Sequence, residues 1–288
     1  MVSKHLTHWL QSLRPGADAR WSATNIRDAW FEAHFHYAAD VVAEWIGAER
    51  LAKGPMLDFG AGDGITGLSL LLRHGAHSVH GVDVSDTHKG LPKLAWREIG
   101  LARLPSTLAF ERIAPGQAFA PGRKFDSIMT WSTFEHIEWP YMDGILQNLH
   151  QVLADDGLFF LQINPLYYAP QGSHLGRFQL PDWAHLLMTP QELEDAVAAF
   201  SGQIPKDELE ENFFKRDFAS YKDFVLDEYR KLNRLTTVQL VEALQQHGFE
   251  VVREAYGKVE QTPPPQLLEQ YSLHDLQTEE VRLLLKKR

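Results

Sequence analysis

Between Pro55 and Asp86 the chain reads PMLDFGAGDGITGLSLLLRHGAHSVHGVDVSD. Met56 to Phe59 are apolar except for Asp58 and run into Gly60-Ala61-Gly62-Asp63-Gly64, after which Leu68, Leu70, Leu71 and Leu72 keep a helical period as far as Gly75. That succession spells a buried parallel strand, a glycine turn and a helix. Ser78 to Val82 is a second short apolar run. It ends in Asp83, about 20 residues past the glycines, where a strand-end acid accepts hydrogen bonds from both hydroxyls of a ribose. The stretch is half of a nucleoside-binding crevice and commits the chain to an α/β fold.

The glycine spacing selects among nucleosides. A dinucleotide fingerprint sets its third glycine three residues after the second, so that helix and strand close around a pyrophosphate; that place is Ile65. A nicotinamide dinucleotide is therefore disfavoured. The glycines fall instead at alternate positions, and Asp58 stands just ahead of the turn, near where a cationic amino group would lie. This pattern resembles the hydrophobic-acid-hydrophobic-Gly-x-Gly-x-Gly motif of the class I S-adenosylmethionine-dependent methyltransferases. The resemblance implies S-adenosylmethionine as cofactor, held by Asp58, Gly60, Ala61, Gly62, Gly64, Asp83, Val84 and Trp131. It also implies a Rossmann-like, doubly wound, mostly parallel seven-stranded sheet with an N-terminal helical cap and a helical lid after the fifth strand.

With 288 residues, 44% of them hydrophobic, the chain can bury a full core as one α/β domain with additions or as two small ones. A formal net charge of −10 argues against a long nucleic-acid groove or an anionic membrane surface, since both need clustered Lys and Arg. Without cysteine, neither disulfides, thiolate zinc sites nor cysteine nucleophiles enter. No apolar run approaches the roughly 20 residues of a membrane span, and MVSKHLTHWL lacks a signal peptide's apolar centre. A cytoplasmic protein with a small-molecule partner is expected; the sequence does not fix its oligomeric state.

The segments expected are a helical cap at 1–50, a cofactor core at 51–163, a substrate lid at 164–235 and completion of the core at 236–288. An amphipathic helix spans about Thr24 to Gly47. Trp21, Trp30 and Tyr37 either pack on the sheet edge or touch cofactor or substrate. His34 and His36, two apart, point to different helix faces and suit no shared metal. Lys89 to Gly100 reads as a helix and Thr107 to Glu111 as the third strand. Where relatives carry an adenine-binding acid this chain has Ile113-Ala114-Pro115-Gly116-Gln117, which leaves adenine to backbone groups or Gln117. Phe125 to Trp131 is the fourth strand, Ile145 to Leu153 a helix, Asp155-Asp156-Gly157 a turn and Leu158 to Ile163 the fifth strand. The lid has a capped helix start at Thr189-Pro190-Gln191-Glu192 and a helical stretch from Asp207 to Leu232. Val238 to His247 reads as a helix, Phe249 to Glu254 as a strand and Pro263-Pro264-Pro265 as a stiff break. Capping signals allow a helix at Thr278 to Arg288, whereas the resemblance favours a last antiparallel strand at Val281 to Lys286.

Residues just past the fourth strand of such a sheet face the ligand crevice: Trp131, Ser132, Thr133, Phe134, Glu135 and His136. Methyl transfer is an in-line displacement at a sulfonium carbon, so the protein holds the nucleophile in line and removes its proton. Glu135, His136 and His185 are the catalytic candidates, with Asn164, Tyr167, Tyr168 and His174 nearby in the pattern. Glu135-His136 with a later His185 before Thr189-Pro190 is similar to the metal-dependent ubiquinone-biosynthesis O-methyltransferases and small-RNA ribose 2′-O-methyltransferases, which use Glu-x-x-Glu-His plus a later His. That likeness implies a divalent metal drawn from Glu135, His136, His174 and His185. Ser132 replaces the pattern's first Glu, so His174 has to supply the missing ligand. Two alternatives stay open: His136 or His185 as a metal-free base, an imidazole of ordinary pKa about 6.5 suiting the task, or histidines that are structural. The activity expected is O-methylation of a small-molecule hydroxyl (sugar, diol or phenol), the alternatives being N-methylation and a non-catalytic S-adenosylmethionine-binding regulator. Asn164-Pro165-Leu166-Tyr167 is similar to the Asn-Pro-Pro-aromatic motif of amino-group methyltransferases, but it follows the fifth strand, lacks the second Pro and reads as a lid hinge.

Overall fold

The computed structural model describes Trp21, residues 26–203 and residues 218–288. The start of the leading helix at 24–25 and the helical stretch at 207–217 lie outside the described residues. Seven strands, β1 Pro55–Phe59, β2 Ser78–Asp83, β3 Leu108–Arg112, β4 Phe125–Trp131, β5 Leu153–Ile163, β6 Phe249–Lys258 and β7 Thr278–Lys287, form one sheet in the order β3-β2-β1-β4-β5-β7-β6. It is mostly parallel, with one antiparallel hairpin at its end. β1 lies parallel to β2, with Asp58 beside Gly81, and to β4, with Met56 beside Ser127; β2 lies parallel to β3. Strand order reverses between β1 and β4, so the carboxyl ends of those two strands flank the switch point where such sheets bind ligands. By packing, the chain divides into two compact units: one runs to Trp131 and adds Gln147–Phe160 and Leu284–Lys287, the other takes Ser132–Leu146 and Leu161–Leu283.

In the first unit Met56 and Leu57 are fully buried, as expected for a strand covered on both faces. The helix Ile65–His74 starts from Gly64 and stops at Gly75, which caps it in the left-handed conformation. Its close approach to the sheet rests on Gly67, where a Cβ would lie 3.0 Å from Val79 Cγ1 and 3.3 Å from Asp58 Oδ2.

The leading helix departs from the regular period expected of it. Ala29–Glu32 is capped by the Asp28 carboxylate, Ala33–Ala38 is a π-helical turn, and α-helix resumes over Ala39–Ile46. At that turn the Phe35 carbonyl accepts from Arg73 Nη1 at 2.7 Å and from the Ser69 hydroxyl, side chains that intrude on the helical ladder. Arg73 Nη2 also meets Asp40 at 2.9 Å. Burial opposes ionisation of Asp40, but the His74 hydrogen bond and the Arg73 charge outweigh it and hold the carboxyl below its ordinary value.

The turn expected at Asp155-Asp156-Gly157 is instead the first part of β5, and the preceding helix, Trp139–Val152, starts earlier than expected. Cations meet the acids at this strand end: Lys53 Nζ is 2.5 Å and Arg50 Nη1 3.2 Å from Asp156, and Lys287 Nζ is 3.3 Å from Asp155.

In the second unit the expected helix at Thr189 forms as Pro190–Ala199, with Thr189 and Glu192 exchanging capping-box hydrogen bonds. Phe178, Leu193, Val197, Tyr221 and Val225 join in one apolar cluster. The expected break holds through Pro263 and Pro264, after which Pro265 opens a short helix, Pro265–Leu268. The C-terminal stretch is a strand, with Val281, Leu283 and Leu285 fully buried at alternate positions. Among the described residues no helix is long and apolar enough to cross a membrane.

Candidate functional site

After β1 the chain folds back over the end of β2. The Gly60 and Ala61 amides donate to the Val82 carbonyl at 2.8 and 3.1 Å, and the Gly64 amide donates to Ala61 at 2.8 Å. Gly60, Gly62 and Gly64 hold φ of 79°, 52° and 79°, which side chains other than hydrogen resist. A Cβ on Gly64 would sit 2.3 Å from Phe110 Cζ. Alternate glycines are thus what this loop requires. Asp83 secures it from β2: its carboxylate accepts from the Gly62 amide at 2.8 Å and from the Ser85 amide at 2.6 Å.

Asp58, 3% exposed, has its carboxyl pushed well above the usual range, first by burial and then by the Asp83 and Asp63 charges. Burial raises Asp63 too, although it accepts from Trp30 Nε1 at 2.7 Å and from the Ile65 amide at 2.9 Å. Three carboxylates converge on one arc of backbone, an electrostatic arrangement that a cationic ligand relieves. Trp30 therefore ties the leading helix to the glycine loop, and Tyr37 meets Trp131 edge-on at 5.9 Å. Val84 stands half-exposed beyond Asp83. The Gln117 side-chain oxygen closes its own turn by accepting from the Ala114 amide at 2.9 Å.

The second group lies on the turn after β4. Ser132 takes a left-handed φ of 46°; its amide and hydroxyl both donate to Gln162 Oε1, at 3.0 and 3.1 Å, and the hydroxyl also reaches the Asn164 carbonyl at 3.2 Å. A short 3₁₀ turn, Phe134–His136, follows. Asn233 clamps it from far along the chain: its side-chain amide donates to the Phe134 carbonyl and, at 3.0 Å, to Ile137, while its backbone amide donates to Glu135 at 2.9 Å.

Glu135 is 3% exposed and no other residue hydrogen-bonds its carboxylate oxygens, so burial, offset only in part by its own backbone amide, pushes its carboxyl up to about 8. Donor atoms of Glu135, His136 and His174 all lie within 4.8 Å of one another, and the two imidazoles meet edge to face at 5.0 Å. Burial lowers both histidines, His174 to about 3. The His174 ring hydrogen-bonds the Pro165 carbonyl, which fixes its proton there and leaves Nε2, which has no partner, as a lone-pair donor.

His185 stands apart from this group. Its Nε2 is 2.6 Å from the Tyr167 carbonyl, its ring packs on the Tyr167 ring at 5.1 Å, and burial takes it down to about 4. Of the four expected metal ligands the structure therefore gathers Glu135, His136 and His174. Asn233, Gln162 and Gly67 escape the sequence reading, as does the hydrogen bond by which Trp30 reaches Asp63. Only Gly67 leaves a signal, a residue without a side chain one turn into a helix that faces a sheet.

Residues 30–254 match a family model described as a methyltransferase domain. Among solved structures the chain is similar to an S-adenosylmethionine-dependent methyltransferase from Clostridium acetobutylicum ATCC 824 (13% identity, 98% of each chain covered, TM-score 0.52). A methyltransferase from Methanosarcina mazei is similar as well (16% identity, 86% of this chain and 96% of that one, TM-score 0.50). The chain covers 53% of the length of PKMT2 from Rickettsia typhi, at 16% identity over 88% of its own length and a TM-score of 0.49. No curated protein matches it.

Proposed function

We propose, from the premise that this chain belongs to the methyltransferase-domain family and is a class I S-adenosylmethionine-dependent enzyme, that it methylates a hydroxyl of a small molecule. In this reading the glycine arc and Asp83 hold the nucleoside, Asp58 lies toward the cofactor's cationic end, and the Glu135, His136 and His174 group serves the acceptor. The observation that carries the reading is the buried Glu135 carboxyl, which no other residue hydrogen-bonds, set against two imidazoles that burial keeps neutral. A hydroxyl must lose its proton to attack, and a neutral imidazole can take it, whereas Glu135 keeps its own proton near neutral pH until a cation displaces it; an amine that arrives neutral needs no such group.

The same three donors fit a divalent cation. One carboxylate and two imidazoles within 4.8 Å suit a borderline or transition metal better than calcium. Glu135, ionised, would neutralise its charge, His136 and His174 would complete the protein's share, and Ser132, occupied by Gln162 and Asn164, would stay outside. Such an ion supplies Lewis acidity that favours an ionised hydroxyl. A second reading, supported by the lowered His136, uses that imidazole as the base without metal.

The test is metal analysis of the purified protein together with an acceptor screen run with and without chelator. Transfer to hydroxyl compounds that falls on chelation and returns with metal supports the cation. Activity unchanged after complete metal removal leaves His136 as base. Transfer confined to amines overturns the hydroxyl reading, and tight S-adenosylmethionine binding with no transfer to any acceptor points to the regulator.

A further inference from the structure

The second compact unit carries a cavity of about 450 Å³ whose walls include Glu138, Trp139, Arg230, Lys231, Asn233 and Arg234. Asn233 joins it to the turn already described, since the three hydrogen bonds it donates end on the carbonyls of Phe134, Glu135 and Ile137. Glu138 and Trp139 follow that turn directly in the chain. A molecule in this cavity lies one hydrogen-bonded layer from the backbone that presents Glu135 and His136.

Charge and shape narrow what fits. The walls set three cations against one acid, Glu138, in a chain whose formal net charge is −10. Two of the cations are already neutralised: Arg230 meets Glu194 at 2.6 Å, and Lys231 meets Asp227 and, at 3.3 Å, Glu228. Arg234 is different. Among the described residues no carboxylate pairs with it, and its guanidinium lies over the Tyr167 ring at 5.1 Å with the charge still available. Trp139 offers an indole that is 64% exposed, a flat apolar surface at the same cavity.

We propose that this cavity, behind the turn that presents Glu135 and His136, binds a ring-bearing anion, the anionic group held by Arg234 and the ring laid against Trp139, with Asn233 as a positioning residue for that turn. A planar guanidinium favours carboxylate and phosphate alike. This site stands apart from the hydroxyl-methylation reading, and its preference for ring-bearing anions is tested by binding alone.

The experiment is calorimetric titration of the full chain, saturated with S-adenosylhomocysteine, with benzoate, phenyl phosphate and the neutral isostere benzamide. Wild type is expected to bind at least one of the two anions about tenfold or more tighter than benzamide. Arg234→Gln should abolish that preference, Arg234→Lys should restore part of it, and Trp139→Ala should weaken all three ligands together. Equal binding of anions and benzamide by wild type, no binding of any of the three, or a preference that survives in Arg234→Gln overturns the proposal. Should the Arg234 variants fold poorly, the wild-type comparison of benzoate and phenyl phosphate with benzamide still decides the matter. Failure of hydroxyl methylation with the anion preference intact counts against the hydroxyl reading and leaves the anion site standing.

Discussion

The glycine arc after β1 and the turn after β4 both carry the chain off the end of a strand at the switch point, yet they are held in opposite ways. Gly60 to Gly64 closes on Ala61 within the loop and on Val82 and Asp83 of the adjacent strand β2, using left-handed angles that glycine adopts at little cost. Phe134–His136 is instead gripped by Asn233, about a hundred positions away, behind a Ser132 fixed by Gln162. A locally closed loop has to write its geometry into its own residues. A remotely closed one does not, and it leaves a buried carboxyl free for a ligand.

The hardest blow to that contrast should come from Gly64→Val. Its φ of 79° and the Phe110 ring 2.3 Å from any Cβ make the substitution cost more than about 3 kcal/mol, so chemical denaturation should find little folded protein. A variant as stable as wild type would mean that the arc is not locally determined.

Next in size is the pH dependence of stability at Glu135. Its carboxyl, normally near 4.5, is raised to about 8 in the folded chain. The folded state therefore keeps a proton that the unfolded state releases, so the contribution is complete below about pH 4.5 and is lost as pH rises through 8. Glu135→Gln should flatten the decline, by on the order of a few kcal/mol at the alkaline end. A divalent ion should stabilise wild type there and leave the variant unmoved; parallel profiles would refute the burial argument.

Asn233→Ala should cost about 1–3 kcal/mol by removing the Asn233 donor from the Phe134 and Ile137 carbonyls. Methyl transfer should fall more than cofactor affinity, a split read from turnover beside calorimetry. Smallest is Thr189→Ala, which removes one capping box at a cost of about 1 kcal/mol and should leave methyl transfer untouched.

The same contrast explains what was readable in the residues. β1 to β4 and the glycine loop follow from local spacing and appear where expected, while the Asp83 bonds to the Gly62 and Ser85 amides are not legible in it. The Thr189 cap is as local as the glycine loop. Asp155 to Gly157 reads as a turn from its residue types, although it is paired into β5 and its acids meet Lys53, Arg50 and Lys287. The π-helical turn at Phe35 is invisible in the local sequence, being imposed by Ser69 and Arg73. At the candidate site Glu135, His136 and His174 are nameable from residue type. That His174 joins the group while His185 holds the Tyr167 carbonyl is decided by tertiary packing, as are the roles of Asn233 and Gln162.

The division of labour between the two loops comes down to one paired measurement: S-adenosylhomocysteine affinity by calorimetry and single-turnover methyl transfer, for Asp83→Ala and Glu135→Gln side by side. Asp83→Ala should weaken the cofactor by about 10- to 100-fold, the worth of lost hydrogen bonds to a charged group. Glu135→Gln should keep cofactor affinity within about twofold while transfer collapses. If Glu135→Gln weakens the cofactor as much as Asp83→Ala does, or transfers methyl at the wild-type rate, the account is wrong.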